Sequence, residues 1–453
     1  MKKSAVLFLA VFLSAANVFA QPVALGIEEA VSKALEENVS VKRGRISLDS
    51  AERAAGTSWN SVSPTINGSA SVTMPLDSDK NALSLSGSVK VNLAPSIYTT
   101  VKNACLNYEK QQMTYDETLR SVELAVRKSF YSILYQEENV KLKQKSLETA
   151  KSQYESNLSK FNRGTLSKLD VLSAQVTYQN EQLELDTLKT SLDNALAEFK
   201  QVIGIPQDTQ IELSGSFDRI MAVTEVDASG VTPESYTIAS LEKQLEIAQN
   251  AVNASRLAAW GPSLSASYTY SATNANGAKD EISFDSPGSI SLGASIPLDG
   301  FLPWSSGAQS IASKKDTVAD LEIQLENARS EFRVDAQTYM NKINQSLANM
   351  EMRRSSIELS QSTYDMTRDA YNHGTKDLLT LQTSHDNLLE SKLNLLSEAY
   401  NLVCAVLDLE NLLGVTERNI NFCNLSANVG VNFYRIAAFD FTVCKDIIKQ
   451  LIM

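Results

Sequence analysis

The chain repeats itself, and that limits its possible folds more than any other feature. Shifted by 210 residues, Tyr154, Phe161, Gly164, Thr165, Leu169, Leu183, Leu185, Leu192, Ala195 and Gly204 fall without a gap on Tyr364, Tyr371, Gly374, Thr375, Leu379, Leu393, Leu395, Leu402, Ala405 and Gly414. An upstream piece repeats more loosely: Trp59 to Pro64 and Trp260-Gly261-Pro262 are each followed by Ser/Thr alternation. Self-similarity at a fixed offset marks an architecture assembled from one unit used twice. The chain divides into residues 1–20, a first copy at 21–204, a connector at 205–230, a second copy at 231–414 and a tail at 415–453.

Each copy opens with apolar residues at helical spacing, over Ile27 to Ser58 and over Thr232 to Ala259, where Thr232-Pro233-Glu234-Ser235 supplies a capped start. The period then changes to two. Ile66, Gly68, Ala70, Val72 and Met74 alternate with Thr65, Asn67, Ser69, Ser71 and Thr73; after a polar loop at 75–81, Leu83, Leu85, Gly87, Val89, Val91 and Leu93 alternate with polar partners. The second copy does the same from Ser263 to Ala272 and from Ser289 to Ile296. Two readings fit four such runs. One is a soluble antiparallel sheet with one face on a core. The other is a set of membrane β-barrel strands, which run to about ten residues with this dyad pattern. A polar face made almost entirely of Ser, Thr and Asn suits a water-filled lumen and favours the barrel.

Behind the strands lie long heptad columns. Leu119, Val126, Ile133, Val140, Leu147, Tyr154 and Phe161 sit seven apart, as do Ala336, Ile343, Met350, Ile357, Tyr364 and Tyr371. A sustained period of 3.5 imposes left-handed supercoiling on packed helices. Each column ends in a turn, Asn162-Arg163-Gly164 or Asn372-His373-Gly374, where glycine supplies the positive φ of a helix C-cap. A returning helix follows, ending near Gly204 or Gly414.

Lys2 and Lys3, the apolar stretch Ala5 to Ala16 and Val18-Phe19-Ala20 read as a secretory signal peptide spanning residues 1–20. Gln21, not Cys, would follow the cleavage site, so a lipid anchor is not indicated. No other run is apolar enough for a membrane helix, which leaves a β-barrel as the way to span a bilayer. A net charge of −12 argues against nucleic-acid partners. Four Cys and two His without a CxxC pair give no metal-ligand set and no disulfide framework; cysteine pairing stays open. There is no P-loop, GxSxG or spaced carboxylate dyad. The expectation is a protein with neither catalytic residues, cofactor nor metal.

Four strands cannot close a barrel, because bacterial single-chain barrels start at about eight. At least two copies are needed, and a 12-strand barrel takes three. The attached helices would then continue the barrel as a tube. Here the chain closely resembles the TolC-like outer-membrane efflux proteins, over roughly residues 22–414. The resemblance rests on IEEAVSKALEENVSVK near the start, on FNRGTLSKLDVL from Phe161 to Leu172, and on Tyr371-Asn372-His373-Gly374-Thr375. It implies a mixed α/β-barrel fold: tandem-duplicated coiled-coil hairpins forming a periplasmic tunnel, with four strands given to a 12-stranded trimeric outer-membrane barrel. It implies a homotrimer set in outer-membrane lipid and extending into the periplasm. Its partners would be a periplasmic adaptor and an inner-membrane pump, and its role that of passive exit duct in tripartite efflux or type I secretion.

The resemblance also places a gate at the turns. By motif position, Asp170 would bond Tyr371 and Lys376 to hold the tunnel closed. The constriction ring would fall at Thr380 and Thr383, where many members of the family carry acids; Asp377 and Asp386 lie close by. Adaptor docking would use the tips, Phe161, Arg163, Gly164, Asn372, His373 and Gly374, with Lys168 adjoining. Trp59, Trp260 and Trp304 suit either a barrel girdle or core packing. The competing readings are a structural or adhesive periplasm-spanning coiled coil and a pump's adaptor subunit.

Overall fold

The computed structural model describes residues 23–74, 82–215, 217–221, 226–227, 235–274, 288–414 and 421–422. The expected signal peptide at 1–20, the loop at 75–81, the expected cap at Thr232-Pro233-Glu234, Cys423, Cys444 and the tail apart from residues 421–422 lie outside them. In order the elements are β1 (Val23–Leu25), α1 (Ile27–Glu37), α2 (Val39–Gly56), β2 (Thr65–Thr73), β3 (Ala82–Leu93), α3 (Ser96–Asn162), α4 (Lys168–Val202), β4 (Ile211–Leu213), α5 (Asp218–Met221), β5 (Val226–Asp227), α6 (Tyr236–Trp260), β6 (Ser263–Asn274), β7 (Ser289–Ser295), α7 (Ser306–Asn372), α8 (Leu378–Leu412) and β8 (Asn421–Phe422). The long helices α3 and α7 each have 67 residues and the return helices α4 and α8 each have 35. At 1.5 Å per residue, α3 and α7 are each about 100 Å long. None of the described helices is long and apolar enough to cross a membrane.

Two compact units divide the chain. One contains residues Gly44–Asp116 and Tyr236–Glu331. Its centre is a four-stranded sheet of order β2-β3-β6-β7, antiparallel throughout. Register decides whether the two alternating faces run on from strand to strand, because directly opposed residues point the same way. They do through the central rows. Ile66 opposes Val89, Val89 opposes Tyr268, and Tyr268 opposes Ile290. On the other face Asn67, Ser88, Thr269 and Ser289 form one polar row, and Thr65, Lys90, Ser267 and Ser291 another. Hydroxyls bridge strands there, Ser69 to Ser86 and Ser263 to Ser295, each at 2.7 Å. Much of the apolar face is exposed: Ile66, Ile290 and Leu292 are 78%, 76% and 81% exposed, although Ala272 on the same face is buried. Among the described residues no strand pairs with the outer edges of β2 and β7.

Around the sheet of this unit, α6 is tied to α3 by the Asn250 amide donating to the Thr99 carbonyl at 2.9 Å and by a Lys243–Glu109 ion pair at 2.8 Å. Trp260 donates its indole N–H to the Gly300 carbonyl at 2.8 Å and stacks on Phe301. Trp59, Trp260 and Trp304 stand at the helix–strand junctions, exposed rather than packed in a core.

The other unit contains residues up to Arg43, Glu117–Ser235 and Phe332–Asn428, and is built on the two helical hairpins. Its core follows the heptad columns: Val126, Ile133, Ile343 and Met350 are at most 1% exposed. Phe130 meets Phe199 edge to face, and Tyr135 stacks on Tyr400 at 5.3 Å. The expected first helix is in fact two. Asn38 is extended, which ends α1; its side-chain amide N–H donates to the Val202 carbonyl at 2.7 Å, and its side-chain oxygen Oδ1 accepts from the Ser40 N–H at 2.8 Å. The same side chain thus caps the start of α2. Within the connector, β4 pairs in parallel with β1, and the two-residue β5 pairs with β8.

A charge sits in the first hairpin where the heptad calls for an apolar residue. Lys143 is 7% exposed at a d position, three residues after Val140. It forms an ion pair with Glu181 of α4 at 2.9 Å and another with Glu184. Burial of the ammonium, the largest influence, pulls its pKa down, but hydrogen bonds and charge from Glu184 and Glu181 outweigh it and leave the pKa raised. Removing one partner of a buried pair strands the other charge, so Lys143→Ala should cost about 3–5 kcal/mol. Lys143→Met combined with Glu181→Leu should cost far less, as measured by guanidinium denaturation followed by circular dichroism.

Candidate functional site: the helical turns

Both hairpins close with the same local chemistry. Gly164 and Gly374 have φ of 76° and 73°. Behind them Thr165 N–H reaches the Lys160 carbonyl at 3.0 Å, and Thr375 N–H reaches the Ala370 carbonyl at 2.9 Å. That is a Schellman closure, which needs a left-handed residue at the C′ position. Each threonine hydroxyl donates to the same carbonyl as its own N–H.

The returning helices also start alike, but with the carboxylate moved. In the first hairpin Ser167 is the N-cap: it accepts from the Asp170 N–H at 3.2 Å and donates to the Asp170 carboxylate at 2.7 Å. In the second, Asp377 is the N-cap, accepting from the Thr380 N–H at 3.0 Å and from the Thr380 hydroxyl. Asp170 and Thr380 are the same position of the repeat, so a gate candidate and a constriction candidate share one capping geometry. Hydrogen bonds from the Thr380 hydroxyl and then its N–H hold the Asp377 carboxyl below its usual pKa.

Tyr371 is 8% exposed. Its phenol donates to the Asn157 side-chain oxygen at 3.0 Å, and the same oxygen accepts from the Gln153 amide at 2.8 Å. Lys160 sits with its ammonium 5.0 Å from the ring centroid. Burial is the main cause that raises the Tyr371 pKa, opposed by the Asn157 hydrogen bond and reinforced by the Asp170 charge. Ala174, Leu378 and Leu381 complete this small core, with Tyr154 and Tyr364 packed against it. Within the protomer, then, Tyr371 bonds Asn157 and Asp170 bonds Ser167. Among the described hydrogen bonds and ion pairs none joins Asp170 to Tyr371 or to Lys376.

Arg163, Asn372, His373 and Lys376 are exposed at the turns, and Phe161 is 38% exposed at the end of α3. Thr383 is exposed and its hydroxyl donates back to the Leu379 carbonyl. Asp386 lies 3.6 Å from His385, whose ring meets Tyr364. The residues that sequence reasoning passed over are Asn157, Lys160, His385 and the Lys143 cluster. Asn157 and Lys143 carried a signal, since both are polar side chains at heptad d positions, which in coiled coils specify pairing.

The Outer membrane efflux protein family matches residues 30–205 and 233–415. The chain belongs to that family, whose members are outer-membrane channel proteins, and it is placed in the outer membrane accordingly. It is 23% identical over 315 residues to Outer membrane protein TolC of Salmonella enteritidis, covering 67% of this chain and 63% of that relative's length. By structure it is similar to the outer membrane protein VceC from Vibrio cholerae, with a TM-score of 0.70 at 12% identity over 86% of this chain and 96% of that one. The Campylobacter jejuni CmeC outer membrane channel gives 0.67 at 17% identity, covering 86% and 85%.

Two outcomes are expected at the turns. Tyr371→Phe, which removes one neutral hydrogen bond worth about 1 kcal/mol, should speed amide exchange at 372–377 about fivefold. Because the Asp377 pKa is depressed, its capping contribution is complete above the usual carboxylate pKa and lost as pH falls through the lowered value. Amides of the first turn of α8 should therefore lose protection on acidification, and Asp377→Asn should keep the cap while abolishing that pH dependence.

Proposed function

We propose that three copies of this chain close a 12-stranded barrel and act as the passive exit duct of a tripartite efflux or type I secretion system. The observation that carries this reading is the sheet: one largely apolar face, one face rich in Ser, Thr and Asn, and two edges that pair with no strand among the described residues. Unpaired backbone groups are not tolerated in lipid. Since β2 and β7 run antiparallel, the β7 edge of one copy suits the β2 edge of the next, and three copies of four strands close the ring. A periplasmic adaptor would dock at the turns and open them, and an inner-membrane pump would drive transport. A structural or adhesive coiled coil gives no reason for a bare apolar sheet face opposite a hydroxyl-rich one.

A second feature supports assembly. On α4, Leu169, Val176 and Leu183 lie seven apart, as do Met352, Leu359 and Met366 on α7, and all six are more than half exposed. Inside the protomer the repeat-equivalents of Met352 and Leu359, namely Leu142 and Thr149 of α3, line a cleft with Leu388 and Leu389 of α8. Shifted by one repeat, that packing sets α7 of one copy against α4 of the next. At 1.5 Å per residue, Val176 and Met366 stand about 12 and 9 Å above their turns. Val176→Cys with Met366→Cys should yield disulfide-linked trimers on denaturing gels. Trimers without cross-links would refute this seam; a monomer would refute the assembly.

The gate belongs to the same proposal. Tyr371 on Asn157 holds the second hairpin to the first within a copy, while Asp170 and Lys376 are left to act between copies. An exposed salt link of that kind is worth about 0.5–1 kcal/mol, weak enough for docking to release. In planar bilayers the wild type should show a small single-channel conductance that rises in Asp170→Ala. Equal conductance would remove Asp170 from the gate, and no conductance despite insertion would overturn the duct itself.

A further inference from the structure

The four strands carry one charged residue. Among Thr65–Thr73, Ala82–Leu93, Ser263–Asn274 and Ser289–Ser295, every side chain is neutral except Lys90. Its register puts it on the polar face, between Thr65 of β2 and Ser267 of β6, with Ser291 of β7 next along the row. It is exposed, and no described carboxylate is ion-paired with it. It lies three residues before the end of β3, at the end of the sheet from which α3 departs.

We infer that Lys90, repeated by the three-fold assembly, forms a ring of positive charge inside the barrel that favours anionic over cationic cargo at its helix-proximal end. The inference rests on the pore reading above. A charged ring inside low-dielectric walls focuses field along the water path and raises the local concentration of ions of opposite sign. Nothing on the described part of the hydroxyl face opposes it. The ring would add a preference in the barrel that is separate from any set by Asp377 and Asp386 at the turns.

The test reads the potential beside the ring. Ser291→Cys, made in a chain whose four native cysteines are replaced by serine, places a thiol two strands from Lys90, about 10 Å away at ~4.8 Å per strand. The purified protein in liposomes is treated with a negatively charged and a positively charged methanethiosulfonate, and the ratio of the two rates is taken. At about 10 mM salt, where screening reaches ~30 Å, Lys90→Gln should lower the anionic-to-cationic ratio about threefold and Lys90→Glu about tenfold. Lys90→Arg should restore it, and all differences should shrink toward unity at 1 M salt. A ratio unmoved by Lys90→Gln, with both reagents reacting, would overturn the ring and leave the pore intact. A thiol that reacts with neither reagent would show that the hydroxyl face holds no water, and the pore reading would fall with the ring.

Discussion

Backbone hydrogen bonding at two sheet edges is the constraint on which the rest of this protein depends. β2 and β7 leave a row of N–H and C=O groups without strand partners among the described residues. In water such edges are tolerable; in hydrocarbon each unpaired group costs several kcal/mol. The apolar face that would meet lipid belongs to the same strands, so in a bilayer these edges would need strand partners, which the proposed assembly supplies from other copies. Oligomerisation would then be a consequence of the sheet, and the enclosed hydroxyl-rich surface a consequence of closure. The pore follows from the pairing rule before any single residue is assigned a role.

The helical hairpins obey a different economy. Their heptad columns bury Val126, Ile133, Ile343 and Met350 within the protomer, yet α4 and α7 carry second apolar seams that the protomer leaves bare. In the proposed assembly a helix with two seams would be shared between two neighbours, as helices that line a ring are. Polar residues at core positions then become points of specification. Lys143 locks α3 to α4 through Glu181 and Glu184, while Asn157 receives Tyr371 from the other hairpin. The first ties one hairpin together; the second ties the two hairpins to each other.

The turns show how duplication permits divergence. Both copies kept the glycine closure and the capped restart, because the backbone demands them. The carboxylate moved from the third helical position in the first copy, Asp170, to the cap itself in the second, Asp377. Capping is served equally well by either arrangement. The charge nevertheless lands in two different places, so two tips with one backbone present different electrostatics to whatever docks on them.

Periodicity alone determined most of the architecture. The 210-residue repeat and the dyad strands placed β2, β3, β6 and β7 within a residue or two of where they lie, and the heptads located the long helices and the ends of their columns though not where α7 begins, since each period reports which face of an element is apolar. It also located the turns, because glycine at positive φ and a cap residue are local requirements. What it could not supply were interactions between distant segments. Asn38 breaking the first helix by reaching Val202, β1 pairing with β4, and Tyr371 bonding Asn157 all depend on which surfaces meet. A local pattern fixes the direction a side chain faces, but its partner is chosen by packing across 164 or 214 residues of chain. Only the folded chain decides that.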